Sequence, residues 1–573
     1  MQTLQRFLFL TIALCCLSSG ALVAQTVFQA QLSGRNEVPS IMSTASGEVT
    51  ATLDGNQLVV TGSFAGLSSP VDTDIFGGAH LHIGYAGQNG DIAVELVPDL
   101  FIGGRGGTFE AAENTFMLEP SQMEALMARQ MYVNIHTANF SGGELRGQLL
   151  PDGEASYAIN LSGSNEVPSV ISNGSGQLAL DIVDDELTVT GAFTGLDGDF
   201  DASIMNGAHL HLGMPGENGP IDIVLNATVD SDLKGGLFLP ADNTFALDPS
   251  QIEAMANRGV YANIHTTKFP GGELRGQVTD PGAVTVFRAH LSGSNEVPAV
   301  TSYAAGVVQA EYLGDTLITY GTFADLESAV DTDIAGGAHL HAASAGLNGP
   351  IAFELDLNLG AGSTAGVFPA ASNQFLLNQE QEDALLARGL YVNIHTMGHP
   401  GGELRGQLLP EAQAVFTGVL GGIFEAPTVY TTAVGGVKAE LRGNELVVSG
   451  AFDGLSSPVN TGIAGGAHLH LGYTGENGGI TENLTFTLDD DMQGGTFAAA
   501  DNTFELSDEQ VASLLDRNIY VNIHTENFAG GELRGQLLQE ARYYLNAPLS
   551  GTSEVPAVNT PATGQIVMEV ESD

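Results

Sequence analysis

The chain repeats itself with a period of about 130 residues, and nothing else in the sequence constrains its fold so strongly. "GAHLH" places histidines at His80, His209, His339 and His468, at spacings of 129, 130 and 129 residues. "NIHT" recurs in step at His136, His265, His395 and His524, and "GGELRGQ" begins at Gly142, Gly271, Gly401 and Gly530. An opening phrase, "NEVP", stands at Asn36, Asn165 and Asn295, weakens to "FEAP" at Phe424 and returns as "SEVP" at Ser553. A unit of this length is large enough to own a core, so the pattern predicts an array of domains and not a solenoid of small motifs. The expected division is a leader at 1–24, repeats at 25–153, 154–282, 283–411 and 412–541, and the start of a fifth at 542–573. The sequence ends inside the second strand expected of that fifth repeat, so a longer natural protein is expected.

Within a unit the pattern is that of β structure. "VFQAQLSG", "GEVTATLDGNQLVVTGSFAGL" and "YVNIHT" alternate apolar and polar residues with period two, and Asp54–Asn56 reads as a hairpin turn. One helix is expected over Glu119–Gln130, opened by Pro120, with counterparts "DPSQIEAMANRG", "NQEQEDALLARG" and "SDEQVASLLDRN". The predicted fold is therefore all-β: a tandem array of β-sandwich or Greek-key barrel domains, each with one short helix.

The first residues have the form of an export signal. "FLFLTIALCCL" is apolar but too short to span a bilayer, and "ALVAQ" offers a cleavage point after Ala24. The only cysteines, Cys15 and Cys16, lie in this segment, so the mature chain has no thiol chemistry; lipidation on one of them is the alternative reading. A secreted, periplasmic or cell-surface location follows, with no transmembrane segment. The 67 acidic residues against 17 basic ones give a net charge of −50, which opposes nucleic-acid partners and fits solubility outside a cell.

Twelve of the 14 histidines occupy three slots in each of four repeats. The slots are His80, His82 and His136; His209, His211 and His265; His339, His341 and His395; His468, His470 and His524. In "GAHLHIG" the aliphatic residues take one side of the strand and His80 and His82 the other; in "YVNIHT" His136 again lies opposite Val133 and Ile135. The histidines are thus expected on the outer faces, away from the core. Two histidines at i and i+2, with a third from a neighbouring strand, can form a His₃ set for Cu or Zn, one ion per repeat. The competing reading is a hydrogen-bonded cluster that pins loops such as "GYAGQNG". Glu144 and Arg146 of "GGELRGQ" face the same way and read as a structural ion pair, or as Arg146 packing across a neighbouring strand, with Glu144 as a partner for a ligating histidine as the sharper alternative. No phosphate-binding glycine loop, EF-hand, G-x-S-x-G elbow or cysteine nucleophile is present.

"GAHLHIGYAGQNG" followed by "YVNIHTANFSGGELRGQL" resembles the CHRD domain, named for chordin, and the resemblance covers four complete copies. It implies a β-barrel of immunoglobulin-like character, similar to copper–zinc superoxide dismutase. In that enzyme a G-x-H-x-H strand and a later V-H strand supply three copper ligands, roles that would fall to His80, His82 and His136 and their equivalents. The resemblance aligns Arg146 loosely with the enzyme's anion-guiding arginine. This sequence departs from the enzyme in having no histidine between His82 and His136 and no disulfide, so its zinc site and bridging histidine are missing. The functions in view are a non-enzymatic binding or adhesion array for an extracellular protein or glycan, and, as the alternative, a copper-dependent superoxide dismutase-like or metal-sequestering protein.

Overall fold

Repeat one builds a single antiparallel sheet that curls around its own core; a computed structural model of the protein describes residues 25–570. The leader expected at 1–24, with both cysteines, lies outside the described residues. The strands are β1 (Thr26–Ser33), β2 (Ser46–Asp54), β3 (Gln57–Ala65), β4 (Ala79–Ile83), β5 (Asp91–Glu95), β6 (Pro98–Leu100), β7 (Gly106–Phe109), β8 (Thr115–Met117), β9 (Met131–Ile135), β10 (Leu145–Gln148) and β11 (Leu150–Pro151). Their order is β5-β4-β9-β10-β1-β2-β3-β7-β6, with β11 on β1 and β8 on β3. Repeats two, three and four reproduce this order, except that in repeat two the counterpart of β11 is reduced to a single bridge between Ala158 and Thr279, and a two-stranded ladder (Tyr543–Ser550 with Thr563–Val570) opens the fifth. The expected tandem all-β architecture is what the chain adopts.

The period-two pattern accounts for the core. Phe28, Leu32, Val49, Val60, Leu81, Val133 and Ile135 point inward and are at most 2 % exposed. The helix α1 (Pro120–Met127) starts where expected and stops earlier. Glu119 and Gln122 form a capping box at its start. Arg129, just past its end, takes a left-handed φ of 58° and turns the chain into β9.

That arginine also joins the repeats. Arg129 reaches Asp181 of repeat two at 2.8 Å, Arg258 reaches Glu311 at 2.9 Å, Arg388 reaches Glu440 at 2.8 Å and Arg517 reaches Glu569 at 2.7 Å. In each of the first three junctions a loop of one repeat covers the outer face of the next. Gly87 sits so close that a Cβ there would meet Ala192 O at 2.8 Å and Gln177 N at 3.0 Å, and its φ is +80°. The strand β2 consequently alternates between buried and partly exposed residues, while its counterpart Ser175–Val183 in repeat two is buried on both faces over most of its length. Contacts also skip a repeat. Arg35 pairs with Glu411, Ser164 donates to Ala412 O, and Ser292 donates to Arg542 O. The repeats wind around their own links and do not hang as separate beads. Among the described residues no helix is long and apolar enough to cross a membrane.

Candidate metal centre

Strands β4 and β9 lie side by side, with Ala79 opposite Ile135, His80 opposite Asn134 and His82 opposite Tyr132. This register brings the His80–His82 pair beside His136, the residue that follows β9. A register shift against β5, where His82 faces Ile92 and Leu81 faces Val94, re-aims the strand at His82. The same irregularity occurs at Leu210/His211, Leu340/His341 and Leu469/His470. Ring centroids are 5.4 Å apart for His80–His82, 5.1 Å for His80–His136 and 6.0 Å for His82–His136.

The histidines lie on the side of the strands away from the core, as the alternation predicts, but they are not at the surface. His80 is 0 % exposed, His82 8 % and His136 6 %, because three loops roof the cluster. Each loop offers one carbonyl to one ring. His80 Nε2 donates to Phe76 O at 2.9 Å, His82 Nδ1 to Gly90 O at 2.9 Å and His136 Nδ1 to Ser141 O at 2.9 Å. A carbonyl only accepts, so these contacts fix each tautomer: His80 keeps a bare Nδ1, and His82 and His136 keep a bare Nε2. Those three bare nitrogens are buried and find no partner. One ligand nitrogen from each ring lies within 4.8 Å of the others.

Every repeat does the same. His209, His211 and His265 donate to Met205 O, Gly219 O and Pro270 O; His339, His341 and His395 to Ala335 O, Gly349 O and Pro400 O; His468, His470 and His524 to Ala464 O, Gly478 O and Ala529 O. Their remaining nitrogens are likewise unpartnered, and the three triads converge within the same 4.8 Å. The first carbonyl of each set belongs to a non-glycine residue with φ of 42–43°: Phe76, Met205, Ala335 and Ala464. Holding a side chain there costs on the order of 1 kcal/mol or more, which the surrounding turn sustains in all four repeats. Burial is the main cause that pushes His82, His211 and His524 down to about 4, with neighbouring histidines adding to it. These three rings are therefore neutral near pH 7, with lone pairs available.

The other repeated motifs support this cluster. Tyr132 stacks on His82 with centroids 5.0 Å apart at 12°, and the Arg146 guanidinium lies 3.5 Å from the Tyr132 ring centroid. Because β9 runs between β4 and β10, the tyrosine is held between the two. Gly90 N donates to the Tyr132 hydroxyl, Arg146 donates to Tyr85 O and Gln88 O, and Gln148 donates to Gly84 O. These bonds fix the loop whose Gly90 carbonyl orients His82. Asn89 of the same loop donates to Val38 O in "NEVP".

Of the two structural readings of Glu144 and Arg146, the ion pair does not form, whereas Arg146 does pack across the neighbouring strand β9, on Tyr132. Glu144 instead accepts from Ser43, Ser68 and Thr137, so it fixes the residue after His136 rather than a ring. Arg146 is 1 % exposed, stacked and bonded to carbonyls, so it does not stand at a mouth where it could guide an anion, as the alignment with the enzyme's arginine implied. Two supporting residues were not singled out from sequence: Tyr132, and Asn134, which donates to the buried Glu37 carboxyl. Their signal is that both recur in step with the histidines, as Tyr261 and Asn263, Tyr391 and Asn393, and Tyr520 and Asn522.

Three imidazoles with no carboxylate or thiolate suit borderline metals such as copper or zinc. The donor set fits such an ion: three buried acceptors that cannot donate to one another are matched by a single cation, and left unmatched each costs about 1–3 kcal/mol. His290 and His399 stand outside the triads, and His399 contacts Glu327 at the surface.

No curated protein matches the chain. The family model of the CHRD domain matches four times, over residues 28–149, 157–278, 287–408 and 416–537. Each match contains one histidine triad with its supporting loop, and together they span most of the sequence. The chain belongs to the CHRD-domain family, as four tandem copies.

Proposed function

We propose that the protein is a secreted or cell-surface binding array, without catalytic turnover, whose four complete repeats each hold one copper or zinc ion on three histidines. The observation that carries the metal is the convergence of three fixed-tautomer lone pairs in each repeat, buried and without a donor. His80 would ligate through Nδ1, and His82 and His136 through Nε2, with equivalent atoms in the other repeats. The ion would supply positive charge that binds the three loops into one unit. Metal binding would thereby stabilise the surface that those loops present. Export rests on the form of the leader, and an extracellular protein or glycan is the partner class that fits a rigid repeated surface able to engage several sites at once.

Superoxide dismutation is the second reading, drawn from the resemblance. The roofed cluster, the stacked Arg146 and a net charge of −50 all oppose rapid entry of an anion. Calorimetric titration of the array with Cu²⁺ or Zn²⁺ tests the proposal. His82→Ala should remove one equivalent of the four, and His399→Ala should remove none. Loss of no sites in His82→Ala would refute the assignment. Stopped-flow decay of superoxide by the copper-loaded protein should show no enzyme-like rate.

A further inference from the structure

Arg288 and His290 stand two residues apart on the first strand of repeat three (Thr285–Ser292), so their side chains leave the same face. That face opens into a cavity of about 410 Å³, bounded also by Glu166–Ser169 of repeat two and by Glu540–Arg542 of the link into the fifth repeat. Neither the Arg288 guanidinium nor the His290 ring makes a hydrogen bond or ion pair with any described residue.

The charges around them are already committed. Arg542 is 3.0 Å from Asp325 and donates to Tyr303 O. Glu540 is 3.8 Å from Lys438, and Glu411 is 3.3 Å from Arg35. Burial raises the Glu166 carboxyl to about 8, so it is neutral near pH 7, and it accepts from Asn263. Glu217 also lines the cavity and accepts from Met214 N. What remains is one half-buried guanidinium with no hydrogen bond or ion pair of its own, drawn only at longer range to Glu540 and Glu411, and its desolvation costs free energy unless a ligand pairs with it directly. The scaffold does not demand it. The equivalent positions in the other repeats are Gln29, Ala158, Thr417 and Asn546, and those of His290 are Gln31, Asn160, Val419 and Pro548.

We propose that this cavity binds a small organic monocarboxylate of about the bulk of a sugar acid, with Arg288 as its anchor and His290 as a second polar contact. The planar fork of a guanidinium matches the two oxygens of a carboxylate. A single uncommitted positive charge, with Glu217 and Glu540 nearby, disfavours a dianion. The volume lies within the range of about 300–1,000 Å³ that small-molecule sites occupy, and Val307 and Val367 give it an apolar wall. The site is distinct from the histidine triads and occurs once in the array.

The test is calorimetric titration of the full chain, freed of its leader, with glucuronate, with glucose as the neutral control and sulfate as the dianion. Glucuronate should bind at one site per chain and glucose should not. Arg288→Gln should weaken glucuronate at least about tenfold, as expected for loss of a charge-assisted contact, while its melting temperature shows that the array still folds. Arg288→Lys should recover part of the affinity. Absence of glucuronate binding, or equal binding by Arg288→Gln, would overturn the site. Sulfate binding tighter than glucuronate would overturn the choice of ligand class.

Discussion

Glu37→Gln should leave the first repeat folded and make its stability less sensitive to pH. Burial raises the Glu37 carboxyl from its ordinary value of 4.5 to about 8, against the opposing pull of Arg146. Its Oε2 accepts from Asn134, while its Oε1 and Asn134 Oδ1 are both buried and unpartnered. A proton on Oε1 supplies the one donor that this arrangement lacks. The sign follows from linkage: between 4.5 and 8 the folded state holds a proton that the unfolded state has released, so stability falls as pH rises through that window. The slope is at most about 1.4 kcal/mol per pH unit, and the change between pH 5 and pH 8.5 reaches about 4 kcal/mol as an upper figure. Glutamine carries a permanent amide donor in the same place and pairs with Asn134 at any pH, so the variant lacks this term. The assay is urea unfolding of residues 25–282, a fragment that keeps repeat two over the Glu37 loop, at half-unit steps of pH. The difference in unfolding free energy between the two proteins should drift steadily in favour of glutamine as pH rises and level off above about 8. A constant difference across that range would show that Glu37 is ionised throughout and would refute the shared-proton argument.

Other consequences can be checked singly. Because burial lowers His82, His211 and His524 to about 4, protons compete weakly for the ligand nitrogens, and metal should be retained at pH values below the ordinary imidazole range near 6.5 and released in more acid solution, as followed by dialysis and metal analysis. Tyr132→Leu removes both the stack on His82 and the bond to Gly90, and should weaken metal binding in repeat one about tenfold while leaving the other three sites unchanged in titration. Arg258→Ala leaves Glu311, which is 0 % exposed, without its ion partner; it should cost about 3 kcal/mol and loosen the junction between repeats two and three, seen as a larger radius of gyration in solution scattering.

Much of this was legible in the residues. The period set the number of units, the alternation in "VFQAQLSG" and "YVNIHT" set the strands and their inner faces, and Pro120 marked the helix start. The histidine triads were legible because a slot filled in all four repeats reflects a constraint that chance does not supply. What alternation does not encode is what lies over a strand. His80 was placed correctly opposite Leu81, yet its burial depends on loops at 72–78, 84–90 and 140–143 whose paths come from non-local bonds. The ion pair read from Glu144 and Arg146 failed for a related reason. Shared facing does not bring side chains together when each has better partners across the sheet, here Thr137 for one and Tyr132 for the other. The junction arginines were visible as "ARQ", "NRG", "ARG" and "DRN", but their carboxylate partners lie more than 50 residues away, beyond any local pattern.

The central claim is that each complete repeat holds one metal ion on its three histidines. Elemental mass spectrometry of residues 25–573, loaded with Cu²⁺ or Zn²⁺ and dialysed at pH 7, tests it most directly. The account predicts four equivalents per chain, falling to three when His82, His211, His341 or His470 is changed to alanine and to none when all four are changed together. Fewer than one equivalent in the wild-type chain, or four equivalents surviving in the quadruple variant, would contradict it.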